Sequence, residues 1–184
     1  MISALIFDLD GTLFNNSEAN VRSYEQAFKD LNLSFDAEKY RLNFGLRFDR
    51  MMDALIPNTG LEIRQKIKEK KAKYYQQNFS FVQPNHDLLS FATDSKVHYK
   101  TALVTTASRH NVEQLLQHFL PNHNLFDTVI TGENVHHSKP DPECYLLAFE
   151  ALSVGPASCV IFEDSDIGVE AARRSGASVI RVKI

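Results

Sequence analysis

The chain has 184 residues, enough for one sizeable core and a small accessory unit. With 43% hydrophobic and 23% charged residues it reads as globular rather than disordered, and a net charge of −3 gives no footprint for nucleic acid or an anionic membrane. No apolar stretch approaches the ~18 residues of a membrane span, and the N-terminus lacks a basic segment followed by a long apolar one. The expectation is therefore a cytoplasmic protein, monomeric or weakly dimeric, acting on a small molecule. Its two cysteines, Cys144 and Cys159, have no metal-ligand spacing and read as buried small hydrophobes.

The apolar run Ala4-Leu5-Ile6-Phe7 predicts a buried strand that ends in a polar turn. Side chains alternate along a strand, so Asp8 and Asp10 leave it on one side while Leu9 points into the core. Two carboxylates held together repel each other, unless they share a proton or a hard divalent cation such as Mg²⁺. Gly11 permits a backbone that no side chain would allow. Helical spacing follows over 16–31, with Asn16 or Ser17 as N-cap, then over 35–44, 48–56 (stopped by Pro57) and 61–79. Residues 16–82 thus predict an inserted all-α unit, hinged near Asn15-Asn16 and 80–84. Its one basic stretch, 66–73, reads as a solvated helix face.

From Pro84 the texture becomes alternating. Helices are predicted over 87–92, 108–119, 142–152 and 167–175, the last closed by Gly176, and strands over 101–105, 128–131, 159–162 and 178–182. Short apolar strands separated by helices imply an α/β fold with a doubly wound parallel sheet, built from 1–15 plus 83–184. Ligands of such sheets bind outside the carboxyl ends of the strands. The polar signatures lie at those ends: Asp8 and Asp10, then Thr105 and Thr106, then Lys139 in the loop after the third strand, then Glu163 and Asp164. The Thr105 hydroxyl and the amides before the next helix suit a phosphate oxygen. Pro140 pushes Lys139 into an extended conformation, Asp141 is a good N-cap and Pro142 a good first helical residue. That stiff loop delivers an ammonium group able to hold a carboxylate ionised and to bind a phosphoryl oxygen. His136 and His137, just before it, read as loop residues. Gly168, Ala171 and Ala172 let the helix after Glu163-Asp164-Ser165 approach the sheet, and Asp166 reads as solvated.

Asp8-Leu9-Asp10-Gly11-Thr12, Thr105, Lys139-Pro140-Asp141-Pro142 and the Glu163 to Ala172 segment resemble, in order, the four motifs of the haloacid dehalogenase-like phosphatase superfamily. With the helical insertion, the resemblance covers nearly the whole chain. It points to the subgroup with an α-helical cap that includes phosphoglycolate phosphatase and β-phosphoglucomutase. The resemblance implies that Asp8 attacks phosphorus to form an aspartyl-phosphate, while Asp10 protonates the leaving group and later activates water. It also implies that Thr105, or next best Thr106, binds the phosphoryl group with Lys139. Mg²⁺ would be held by the Asp8 and Asp164 side chains and the Asp10 carbonyl, with Glu163 acting through water or orienting the site. Pro84-Asn85 replaces the family's usual Pro-Gly, and the chain ends directly after its last strand, which leaves the far edge of the sheet open. Asp10 argues against dehalogenase chemistry, which needs no acid on the leaving group. The expected activity is Mg²⁺-dependent hydrolysis of a small phosphomonoester, such as a sugar phosphate or phosphoglycolate. A phosphosugar mutase and a noncatalytic binding module of the same fold are the alternatives. Within the cap, the Gly45-Leu46-Arg47 turn is the candidate specificity segment, with Arg47 reaching an anionic substrate; Gly11 and Thr106 complete the substrate-side set.

Overall fold

A computed structural model describes residues 1–121 and 124–184. In chain order it places β1 (Ala4–Phe7), β2 (Phe14–Asn15), α1 (Ser17–Lys29), α2 (Ala37–Leu42), α3 (Phe48–Leu55), α4 (Leu61–Gln77) and β3 (Gln83–Pro84). There follow α5 (His86–Ser95), β4 (Lys100–Val104), α6 (Arg109–Phe119), β5 (Thr128–Ile130), α7 (Glu143–Leu152), β6 (Cys159–Glu163), α8 (Asp166–Arg174) and β7 (Ser178–Arg181). The five longer strands form one parallel sheet in the order β5-β4-β1-β6-β7. The chain builds outward from β1 to β5 on one side and then crosses to β6 on the other. The strand order therefore switches at β1, which places the end of β1 in the crevice where such sheets bind ligands.

Alternation along β1 explains the two layers around the sheet. Leu5 and Phe7 pack with Leu89, Val112 and Leu115 of α5 and α6, whereas Ala4 and Ile6 pack with Tyr145, Ala148 and Ala171 of α7 and α8. Phe7 stacks on Phe162 with centroids 4.9 Å apart. Truncating such a fully buried ring to Ala removes roughly 3–5 kcal/mol. Helices α1 to α4 bury a separate cluster that includes Val21, Tyr24, Phe28, Tyr40, Met52 and Ile67. This is the helical cap.

Four details differ from the sequence reading. Thr105 lies just outside β4, which runs from Lys100 to Val104. Helix α5 is longer than the predicted 87–92, because Asn85 caps it by accepting from the Leu88 amide. Asn85 also donates to the carbonyls of Leu13 (backbone amide, 2.8 Å) and Thr12 (side chain, 3.1 Å), so it ties this helix to the turn after β1 in a way glycine could not. Asn16 stands at the N-cap of α1, as expected, but its side chain makes no capping hydrogen bond. Finally, the two chain crossings into and out of the cap pair as an antiparallel ribbon, Phe14 opposite Pro84 and Asn15 opposite Gln83. Two residues per strand are too few for a period to show.

Candidate active site

β1, β4 and β6 end side by side, and the side chains beyond their ends converge. Asp8 extends the β1–β6 ladder by donating its amide to the Phe162 carbonyl (3.0 Å). Lys139 reaches in from the loop before α7 and donates to Asp8 Oδ1 (2.7 Å) and Glu163 Oε2 (2.6 Å). All three side chains are almost completely buried. Tyr145 of α7 donates to the same Glu163 oxygen (2.9 Å), and the Ser165 amide and hydroxyl donate to Glu163 Oε1 (3.1 and 2.8 Å). Both oxygens of Glu163 are taken, so it anchors Lys139 and the start of α8. Asp164 turns the other way and accepts from Thr12 Oγ1 (3.1 Å).

Two glycines make room for this packing. A Cβ on Gly11 would lie 2.2 Å from an Asp164 oxygen, and its φ of +89° is one side chains avoid. A Cβ on Gly168 would lie 2.0 Å from the Glu163 carboxyl carbon, which explains a glycine in the first turn of α8. Gly11 thus supports Asp164 from behind. Asp141 accepts from the Glu143 amide (2.9 Å), the capping role its position suggested.

Oxygens of Asp8, Glu163 and Asp164 can lie within 4.8 Å of one another. Burial first, and then the Glu163 charge, push the Asp8 carboxyl well above the usual carboxylate range; the Lys139 ammonium opposes them. The same two causes push Asp164 up to about 6. Burial alone would lower Lys139, but Asp8 and Glu163 outweigh it and hold the ammonium firmly charged. One ammonium faces more carboxylate charge than it can neutralise, and every spare donor atom is oxygen. That set fits a hard divalent cation such as Mg²⁺.

Asp10 points away from this cluster. Its Oδ2 accepts from Thr105 Oγ1 (3.1 Å) and its Oδ1 from Asn16 Nδ2 (2.5 Å). Thr105 in turn accepts from the Ala107 amide (3.0 Å). A cavity of about 500 Å³ opens on the Asp10 side between cap and core, walled by Tyr24, Tyr40, Phe44 and Met51 from the cap and by Thr106 and Asn111 from the core. A second cavity, about 620 Å³, opens on the Asp164 side beside Gly11, Asn15 and Ser17. Asp10 and Asp164 thus border two different cavities.

The structure does not bring Arg47 into the cavity on the Asp10 side. Its guanidinium pairs with Asp49 (2.8 and 2.7 Å) and donates to the Val135 carbonyl (3.3 Å), because Asp49 lies in the first turn of α3 and is the nearest carboxylate. Thr106 lines the cavity, but its hydroxyl is spent on the Gly45 carbonyl (2.8 Å) and joins core to cap. Sequence reasoning missed Lys71. The basic stretch of α4 was expected to be solvated throughout, yet Lys71 turns inward, 6% exposed, with Nζ 3.9 Å from the Tyr75 ring centroid. It lines the cavity and has no carboxylate partner within ion-pair distance among the described residues. Burial lowers its pKa to about 8 against the pull of Asp10. Of the five lysines on α4 only Lys71 is buried, and composition does not set it apart from Lys66, Lys68, Lys70 and Lys73.

The haloacid dehalogenase-like hydrolase family model matches residues 5–182. The chain belongs to that family. It is 30% identical over 181 residues to a phosphorylated carbohydrates phosphatase of Thermotoga maritima, covering 95% of this chain and 82% of that protein. It is 27% identical to the fructose-1-phosphate phosphatase YqaB of Escherichia coli, covering 99% and 97% of the two. The crystal structure of CbbY from Rhodobacter sphaeroides in complex with phosphate superposes with a TM-score of 0.83 at 30% identity, over 100% of this chain and 87% of that one. As a haloacid dehalogenase-like hydrolase with phosphatase relatives across nearly its full length, the protein is an enzyme of phosphate ester chemistry. No helix among the described residues is long and apolar enough to cross a membrane.

Proposed function

We propose that this chain is a Mg²⁺-dependent phosphatase of a small phosphorylated carbohydrate, working through an aspartyl-phosphate, the acyl phosphate of Asp8. The observation that carries the reading is the Lys139 bridge between Asp8 and Glu163, with Asp164 beside it and Asp10 turned toward the cavity. Asp8 and Asp164, with the Asp10 carbonyl, would hold Mg²⁺, which when bound supplies charge neutralisation for the transferring group. Lys139 counters the burial that pushes the Asp8 carboxyl up, holds that carboxyl in place and offers the phosphoryl oxygens a cation; Thr105 offers a hydroxyl beside Asp10. Asp8 Oδ attacks phosphorus as the ester oxygen leaves on the Asp10 side and takes the Asp10 proton. The Asp10 carboxylate then removes a proton from a water that attacks the same phosphorus, releasing inorganic phosphate and restoring Asp8.

The cavity on the Asp10 side supports a reading of the leaving group. Its aromatic walls suit a sugar-sized body, and Lys71 suits an anionic or hydroxyl-rich end; the phosphorylated carbohydrates named for the relatives have that character. A panel of hexose, pentose and glycolate phosphates, assayed for phosphate release with and without Mg²⁺, tests the reading. Expected are metal-dependent release and none from Asp8→Asn. Turnover that survives in Asp8→Asn overturns it, and an isomerised sugar phosphate with little free phosphate would make the enzyme a mutase.

A further inference from the structure

We infer that Asn16 and Tyr75 are positioning residues for Asp10, through which the cap sets the leaving-group acid. This rests on the role proposed for Asp10 above. Asn16 is fully buried where the chain enters the cap. Its Nδ2 donates to Asp10 Oδ1 (2.5 Å) and to the Tyr75 hydroxyl (2.7 Å). Tyr75 comes from the far end of α4, nearly sixty residues away, and its ring packs edge-on against Phe79 (centroids 5.1 Å apart) and under Lys71. Burial keeps its hydroxyl protonated far above neutral pH. On the other side, Asp10 is held by Thr105 of the core (3.1 Å). The carboxylate is therefore gripped by both bodies, and its direction depends on where the cap lies.

The arrangement has a cost that stability alone does not explain. Asn16 commits its amide hydrogens to Asp10 and Tyr75, and its Oδ1 is left buried without a partner. An unsatisfied buried acceptor destabilises the fold. Asn16 occupies the N-cap of α1, yet its side chain makes no capping hydrogen bond to the helix. Residues that break a local rule in this manner concentrate at functional sites. A misdirected Asp10 would hurt most where the departing oxygen most needs a proton.

The test uses the Mg²⁺-loaded enzyme and compares kcat/KM for p-nitrophenyl phosphate, whose leaving group departs with little help, with that for a sugar phosphate, whose alkoxide needs the acid. Tyr75→Phe keeps the ring and removes only the hydroxyl. It is expected to lower kcat/KM about tenfold on the sugar phosphate and less than about threefold on the aryl ester. Asn16→Ala should show the same bias, more strongly. Equal losses on both esters, or no loss in Tyr75→Phe, overturn the proposal, since a merely structural role lowers both together. Asp10→Asn separates the two readings. If it shows the bias and the other variants do not, only the positioning role falls. If it lacks the bias, the acid role of Asp10 falls, and the positioning role with it.

Discussion

The rim of the core and the floor of the cap meet at Asp10, yet they are built on opposite plans. On the rim the buried charges around Asp8 are already paired: Lys139 with Asp8 and Glu163, Glu163 with Tyr145 and Ser165, and Asp164 with Thr12. In the cap the one buried cation, Lys71, lies against the rings of Tyr24 and Tyr75 and makes no ion pair among the described residues. The pairing locks geometry in advance, which is how fixed charges accelerate a reaction. The unpaired lysine leaves an interaction to be completed by a ligand. On the proposed function, chemistry is preorganised in the core and selection is left open in the cap.

The contrast can be broken most severely at the rim. Asp8→Asn should lower phosphate release at least ~10⁴-fold on every ester, since it removes the nucleophile of the proposed mechanism; the protein should remain folded, which a melting curve checks. Lys139→Met should lose activity almost as completely and also destabilise the fold by roughly 3–5 kcal/mol, because Asp8 and Glu163 are left as buried charges without their counter-ion. Denaturant unfolding measures this.

A cap substitution should do the reverse. Lys71→Met is expected to raise KM for an anionic or hydroxylated substrate by about 10–100-fold, with much less effect on p-nitrophenyl phosphate. It should raise the melting temperature by about 2–6 °C at neutral pH, since a buried ammonium held at about 8 is a burden wherever it is charged. A melting temperature that falls would show that Lys71 is structural.

Metal affinity offers a gentler probe of the rim. Asp164, raised to about 6, binds a proton in the folded protein at pH values where the unfolded chain has lost it. Its contribution to metal-free stability is present below the unfolded value and disappears as pH rises through about 6. On the proposed function Mg²⁺ displaces that proton, so it should raise the melting temperature by several degrees at pH 7.5 and by clearly less at pH 5.5. Arg47→Ala should do least, altering kcat/KM less than about threefold, because a half-exposed arginine paired with Asp49 contributes little.

The same division governs what could be read from the sequence. The rim residues stand at the ends of short apolar strands in a parallel sheet, so topology alone gathers Asp8, Thr105, Lys139 and Asp164 at one edge. Glu163 was visible too, although its duty toward Lys139 needed Tyr145 and Ser165 in place. The cap gave no such guide. Which lysine of α4 turns inward depends on how that helix rotates against α1, and the link from Tyr75 through Asn16 to Asp10 joins residues that no local pattern relates. Arg47 illustrates the hazard: it stood in the expected turn, but a carboxylate two residues on claimed it.

The paired ribbon of β2 and β3 makes the cap a graft with a single stem. Both chain crossings leave the core side by side, at Asn15 and Gln83, so everything between them can be exchanged as a cassette without cutting the sheet. A donor segment would need to close that ribbon and bring its own counterparts of Asn16 and Tyr75. Given those, the recipient would keep its reaction and acquire a different appetite.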